Sequence, residues 1–262
     1  MKKIIFFLIA ALMVCGSADA RKSKSSSKRK SSTALTVTKG ETKDYYDYLK
    51  TQIFKLRKGE GNELTIEYPI SGKGMLVNTI RTNIAFDLDD TYTGSLDNPE
   101  ALMKAVMKNK KNPTFGMDGE SLDEEIKVAY ANPRIITYEL SGDIYMGGAH
   151  GSHFDIGVTY LVENVDVFNV GMLPPIQKMR PYILKGLAKY FDTNVAGLGD
   201  ILMGDPNDID YPEYVFITDK GINFVYGEYE IGPYAIGLPR AIVPATDEII
   251  NMLTPEGQKF FR

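Results

Sequence analysis

Apolar side chains recur every three or four residues along several stretches of the chain, which is the spacing of one face of an amphipathic helix. This pattern predicts helices over residues 45–56, 76–88, 98–108, 174–191 and 247–253. The third begins at Asn98-Pro99-Glu100, where a capping amide is followed by a proline that needs no amide partner and by an acid that the helix dipole favours. Its buried stripe is expected to consist of Leu102, Met103, Val106 and Met107.

Other stretches alternate apolar and polar residues, as strands do when one face is buried. Strands are predicted at residues 64–68, at 135–138 leading toward 145, and at 154–162, 214–218, 222–226 and 241–243. Pro69 is expected to end the first, and Asp219-Lys220-Gly221 predicts a hairpin in which Gly221 takes a positive φ. Because the chain shows neither a repeat nor a linker after residue 44, we expect one α+β domain over residues 44–262.

The first twenty residues have the three parts of a secretory signal peptide. Two lysines follow Met1, Ile4–Val14 is an unbroken apolar run, and Ala18-Asp19-Ala20 is a small-x-small cleavage site. The run is too short to span a bilayer, so we expect cleavage after residue 20 and a periplasmic or secreted protein without a transmembrane segment. The alternative is a lipoprotein anchored through Cys15, although a valine precedes that cysteine where a small residue is usual.

Charge is unevenly distributed along the rest of the chain. Residues 21–43 are predicted to form a disordered Ser/Lys-rich tether, with six basic residues between Arg21 and Lys30. From Ser31 onward there are 22 basic and 33 acidic residues, a formal charge of −11, which argues against a nucleic-acid partner and suits a basic protein partner. If Cys15 leaves with the signal, no cysteine remains for thiol catalysis or zinc binding.

Both histidines lie in Tyr145–Asp155, in which three of the five residues 147–151 are glycine. His150, His153 and Asp155 would suit a metal site, since zinc hydrolases use three such ligands and leave one position open. No neighbouring residue supplies a general base, and the alternative is a structural histidine at a strand corner. We therefore expect no metal and no cofactor.

A second stretch contains Glu228 and Glu230, which project to the same face if the segment is extended. Paired carboxylates are typical of glycosidases, but the two catalytic groups normally come from different strands and bracket the glycosidic bond. The alternative is a solvated strand face or a structural hydrogen bond to one carboxylate. Ser152 beside His153 does not indicate a hydrolase, because adjacent residues on a strand point apart.

Two signatures carry a family resemblance. Tyr145–Gly151 contains a tyrosine-led Gly-Gly-Ala-His-Gly and Tyr229–Gly237 reads Tyr-Glu-Ile-x-Pro-Tyr-x-x-Gly. They resemble the extracytoplasmic RsiV-like domain, which also occurs as an accessory domain in PdaC-type peptidoglycan deacetylases, and the likeness covers about residues 62–253. The resemblance implies an α+β fold with an antiparallel sheet packed with helices, and a domain that binds rather than catalyses.

The ligand implied by this resemblance is a protein, lysozyme among the candidates, or a peptidoglycan-related glycan of the bacterial cell envelope. Two alternatives stay open, an envelope hydrolase that uses His150, His153, Asp155 or Glu230, and a structural envelope protein. The residues of the ligand-binding or structural signature are Tyr145, Gly147, Gly148, His150, Gly151, His153, Tyr229, Glu230, Pro233, Tyr234 and Gly237.

The glycines of the first signature need a physical reason, because a glycine in a strand loses conformational entropy and buries no side chain. We predict that Tyr229–Gly237 packs closely over this bare backbone, with Tyr229, Pro233 and Tyr234 above the glycines. Glu230 or His150 is expected to join the two segments by a hydrogen bond. The signatures would then be chiefly an architectural lock, the alternative being a ligand-binding surface.

Overall fold

The computed structural model describes residues 35–58, 62–108, 121–145 and 149–262. The predicted signal peptide with Cys15, residues 21–34 of the predicted tether, Gly147 and Gly148 lie outside the described residues. The strands are β1 (Thr36–Tyr45), β2 (Leu49–Arg57), β3 (Asn62–Gly72), β4 (Ser121–Ala131), β5 (Ile135–Tyr145), β6 (Ser152–Leu161), β7 (Tyr214–Thr218), β8 (Gly221–Val225) and β9 (Arg240–Val243). The α-helices are α1 (Gly74–Leu88), α2 (Pro99–Lys108), α3 (Ile176–Tyr190), α4 (Asp247–Met252) and α5 (Pro255–Gln258).

The strands form a six-stranded sheet in the order β1-β2-β3-β4-β5-β6 and a three-stranded sheet in the order β7-β8-β9. Neighbouring strands are antiparallel except for β3 and β4, which run parallel. Parallel neighbours need a crossover connection, and the segment that carries α1 and α2 provides it. The predicted α+β fold is confirmed. The larger sheet was expected to be antiparallel, and it differs from that expectation in one pair of strands, β3 and β4.

A hydrophobic core covers each face of the six-stranded sheet. The first core contains the buried faces of α1 and α2, and the second contains α3, the three-stranded sheet and Phe260. Ile136 on β5 belongs to the first core and its neighbour Ile135 to the second, as the alternation of a strand requires. None of the described helices is long and apolar enough to cross a membrane.

Buried hydrogen bonds dock the three-stranded sheet onto the larger one. The Thr137 hydroxyl donates to the Ile217 carbonyl oxygen at 2.6 Å, and the Ile217 N–H donates to the Thr159 hydroxyl oxygen at 2.8 Å. The two hydroxyl oxygens are 2.8 Å apart. Beside them the ring of Phe216 covers Gly157, where an added Cβ would come within 2.1 Å of the ring. A larger residue at position 157 would therefore force β7 away from β6.

The structure contradicts the helix predicted over residues 45–56. These residues belong to β1, the following turn and β2, and β1 already begins at Thr36, so residues 36–43 are a strand and not part of a tether. The register of β2 against β3 shifts between Lys50 and Thr51. That shift places the extra residue on β3, but the buried residues of β2 itself change phase between Thr51 and Phe54. Together with the turn at residues 46–48, this phase change makes the apolar spacing imitate a helix.

The remaining predicted helices and the hairpin are confirmed. All four residues predicted for the stripe of α2 are buried, Asn98 accepts a hydrogen bond from the Ala101 N–H at 3.0 Å, and Gly221 has a φ of 125°. β4 and α5 were not predicted, and β3 continues through Pro69 to Gly72. Pro69 pairs with Thr51 at the register shift, which is where a strand tolerates a residue without an N–H.

Two buried carboxyl groups predict how the stability depends on pH. Burial raises the pKa of Asp87 from 3.8 to about 8, and burial together with the nearby Asp87 carboxylate raises the pKa of Glu124 from 4.5 to about 8. Over most of the range from about pH 4 to about pH 8, the unfolded chain has released both protons while the folded protein retains them. The free energy of unfolding should therefore fall as the pH rises from about 4 to about 8, which urea unfolding at a series of pH values measures.

The double variant Asp87→Asn with Glu124→Gln should lose most of this pH dependence. Glu125→Gln is the matched control, because Glu125 is a neighbouring carboxylate that pairs with Lys127 at the surface. A double variant whose stability still falls as steeply with pH as that of the wild type would contradict the prediction.

Candidate functional site

The two signature stretches meet at one end of the molecule. The first leads from β5 into β6, and the second follows β8 and includes a short 3-10 helix, Tyr234–Ile236. The ring of Tyr234 stacks on that of His150 with centroids 3.9 Å apart, and the Tyr229 ring lies 6.4 Å from His150 and 6.0 Å from Tyr234. We call His150, Tyr229 and Tyr234 the aromatic platform.

Hydrogen bonds join the second stretch to the first. The Tyr234 hydroxyl donates to the Gly151 carbonyl oxygen at 3.0 Å and lies 3.3 Å from Nε2 of His153. The Glu228 carboxylate accepts the backbone N–H of His153 at 2.7 Å. Desolvation and the nearby Glu228 carboxylate raise the pKa of Tyr234, so its hydroxyl keeps the proton that it donates.

Glu230 does not join the stretches, contrary to the prediction that it or His150 would do so. Its carboxylate accepts the N–H of Gly227 at 2.7 Å, within its own turn. Tyr229 has a φ of 64°, so Glu228 and Glu230 do not lie on one face of an extended segment. The geometry assumed for a pair of catalytic carboxylates is therefore not formed, and Glu228 makes the contact instead. The His150 part of the prediction agrees with the structure, since Nε2 of His150 lies 3.3 Å from the Tyr229 hydroxyl.

Tyr229 combines exposure with backbone strain. Its side chain is 53% exposed, and its φ of 64° lies in the left-handed region that a bulky residue rarely adopts. This conformation costs about 1 kcal/mol or more. Strain of this kind is concentrated at binding and catalytic sites, which makes Tyr229 the strongest functional candidate in the second stretch.

Two carboxylates flank the aromatic platform. Nδ1 of His153 pairs with the carboxylate of Asp143, which is exposed, and the Glu228 carboxylate accepts the backbone N–H of His153. Neither acid belongs to the predicted signatures, because Asp143 comes from β5 and Glu228 precedes the signature Tyr229–Gly237 by one residue. The platform is therefore an aromatic surface with an acidic rim.

The other signature residues have backbone roles or lie at the edge of the site. An added Cβ at Gly151 would come within 2.9 Å of the Ile144 carbonyl oxygen, and Gly237 has a φ of 66°. Pro233 directly precedes the 3-10 helix, and Tyr145 ends β5 with 37% of its side chain exposed. Gly147 and Gly148 lie outside the described residues.

Asp155, the third ligand of the metal hypothesis, is engaged by Arg240. The Arg240 guanidinium pairs with Asp155 and also donates to Glu139 at 2.8 Å. Burial raises the pKa of Asp155 to about 6, and the Arg240 guanidinium opposes that rise. In the described part of the chain, no three His, Cys, Asp or Glu side chains are grouped so as to hold a metal ion.

The contacts between the stretches predict a measurable coupling. Tyr234→Phe removes the hydroxyl that bonds Gly151, and Glu228→Ala removes the acceptor of the His153 N–H. Each should lower the free energy of unfolding, and the loss in the double variant should differ from the sum of the two single losses. Tyr182→Phe, which removes a hydroxyl bonded to Glu248 away from both stretches, should be additive with Glu228→Ala. Additivity of Tyr234→Phe with Glu228→Ala in urea unfolding would contradict the coupling.

Comparisons with known proteins find solved structures of the same fold and a family model that matches part of the chain. A crystal structure of a DUF3298 family member from Bacteroides fragilis is similar over 87% of this chain and 98% of that one, with a TM-score of 0.60 and 19% identity. A DUF3298 family protein from Pseudomonas aeruginosa is similar over 80% and 97%, with a TM-score of 0.56 and 18% identity. No curated protein matches the chain. Residues 165–246, which include the second signature stretch, match the family described as "Protein of unknown function (DUF3298)".

Proposed function

We propose that this protein is an exported, non-catalytic binding module of the bacterial cell envelope, which seats a sugar ring of a peptidoglycan-related glycan on the aromatic platform. The observation that carries the proposal is the exposed Tyr229 ring, which a strained backbone presents beside His150 and Tyr234. The resemblance of the two stretches to the RsiV-like domain supports a ligand at the cell envelope.

The chemistry of the platform suits a carbohydrate. One face of a pyranose presents mainly C–H groups, while its hydroxyls lie around the edge, so it packs well on an aromatic ring. The platform offers the ring faces, and the carboxylates of Asp143 and Glu228 beside it can accept hydroxyl protons. An aromatic anchor with a polar rim is a common arrangement of binding surfaces.

The hydrogen bonds around the platform support binding rather than catalysis. Asp143 and Glu228 both bond to His153, Glu230 bonds to the Gly227 N–H, and Asp155 pairs with Arg240. A glycoside hydrolase needs an acid and a second carboxylate aimed at one glycosidic bond. The four carboxylates are instead held by protein groups.

A basic protein is the second candidate ligand. The chain from Ser31 onward carries a formal charge of −11, and two of its carboxylates lie at the rim of the platform. Such a field increases the rate at which a cationic partner associates, and this effect is screened by salt. Lysozyme is a suitable probe of this alternative.

Tyr229→Gly separates binding from folding. Glycine adopts the left-handed conformation without strain, and this gain offsets its greater entropy in the unfolded chain, so the free energy of unfolding should stay within about 1 kcal/mol of the wild type. Loss of the ring should weaken the binding of soluble peptidoglycan fragments by about tenfold or more. A tenfold loss of affinity corresponds to roughly 1.4 kcal/mol of binding free energy, which is typical of removing an aromatic anchor. NMR titration of the mature protein measures the binding.

Asp192→Gly is the matched control, because Asp192 also has a positive φ, 51°, and is exposed away from the platform. It should leave glycan binding unchanged. The protein ligand would be favoured if lysozyme binds and glycan fragments do not. In that case lysozyme binding should be lost in Tyr229→Gly and weakened by salt. Glycan binding that persists in Tyr229→Gly would overturn the assignment of the platform.

Export is tested separately. Cleavage after Ala20 gives a mature amino terminus at Arg21, which sequencing of the protein from its native host would reveal. Fatty-acid labelling that is abolished by Cys15→Ser would show a lipoprotein instead.

A further inference from the structure

A second concave site lies at the far end of the molecule from the aromatic platform. Ile135 and Tyr145, at the two ends of β5, are ten residues apart, or about 33 Å along an extended strand. Ile135 lines a cleft of about 350 Å³ between the β4–β5 turn, the β7–β8 turn, the segment after β9 and the carboxyl-terminal phenylalanines. This volume is within the range of small-molecule sites, roughly 300–1,000 Å³.

The walls of the cleft are held by hydrogen bonds. The Asn132 side-chain oxygen accepts the N–H groups of Arg134 and Ile135 at 2.8 and 2.9 Å, which fixes the β4–β5 turn. On the opposite wall, Asn223 donates to the Thr218 hydroxyl oxygen at 3.0 Å and to the Gly221 carbonyl oxygen at 3.1 Å. Both turns are therefore ordered before any ligand arrives, which lowers the entropy lost on binding.

The lining of the cleft combines aromatic surface with positive charge. Tyr130 and Phe261, both partly exposed, supply rings in front of the buried Phe260, and Arg134 and Lys220 supply two cations against the single carboxylate of Asp219. Neither cation forms an ion pair with a described residue, although Arg134 contacts the Lys259 carbonyl oxygen at 3.5 Å. In a chain that carries −11 from Ser31 onward, this local excess of positive charge indicates an anionic ligand.

We propose that this cleft binds a small ligand in which an oxyanion, a carboxylate or a phosphate-type group, is attached to an apolar ring or chain. The guanidinium of Arg134 offers a planar pair of donors for the oxyanion, and the ammonium of Lys220 adds a point charge. The aromatic side chains cover the apolar part of the ligand. The site is separate from the aromatic platform, and its occupancy does not depend on the function proposed for that surface.

Three probes of similar size test the proposal by NMR titration of the mature protein. Benzoate and phenylphosphonate carry the two oxyanions on one ring, and benzamide replaces the charge by a neutral amide. Saturable shifts at the amides of residues 130–132, 134–135, 217–221 and 245–246 are expected with at least one of the anions, and its affinity should exceed that of benzamide by about tenfold or more. The tighter of the two anions identifies the preferred oxyanion.

The double variant Arg134→Gln with Lys220→Gln should weaken anion binding by about tenfold or more. Lys178→Gln with Lys189→Gln is the control, since it removes two exposed cations from α3 outside the cleft and should leave binding unchanged. All four positions are exposed, so both variants should fold, which their melting temperatures check. Equal binding of benzamide, equal losses in the two variants, or no saturable shift with either anion would each overturn the proposal.

Discussion

Thr137 and Thr159 hold the two sheets in register, and the positions of both candidate sites depend on that contact. Their hydroxyls satisfy the carbonyl and the N–H of Ile217 in a buried environment, where an unpaired backbone group would cost about 1–3 kcal/mol. Because Phe216 lies against the bare backbone of Gly157, β7 can approach β6 closely enough for these bonds to form. A polar contact inside a largely apolar interface thus determines where the smaller sheet sits.

The two ends of the smaller sheet then acquire different chemistry. At one end the chain leaves β8 toward Glu228 and Tyr229 and meets the corner between β5 and β6, where the aromatic platform forms. At the other end the β7–β8 turn faces the β4–β5 turn, and the cleft opens between them. Arg240 strengthens the docking between these ends, since it leaves β9 to pair with Asp155 and Glu139 on the larger sheet.

Local pattern was sufficient where each element follows the ordinary period of a helix or strand, as in α2 and the β7–β8 hairpin. It failed for residues 45–56 because this stretch contains the end of β1, a turn and a strand whose buried residues change phase between Thr51 and Phe54, which the spacing of apolar residues does not reveal. In the candidate site, the choice between Glu228 and Glu230 depended on the φ of one residue, Tyr229. Asp143 and Arg240 had no local signal at all, because their roles arise only from partners distant in the sequence.

The contacts within the site divide its residues between two roles. Tyr234 and Glu228 bond to backbone groups of the first stretch, and these bonds are sufficient to hold the segments together. Tyr229 adds one 3.3 Å contact with the exposed His150, yet its backbone is strained and the residue is 53% exposed. We propose that Tyr234 and Glu228 form the lock, and that the strained, exposed Tyr229 and His150 present a surface for a ligand.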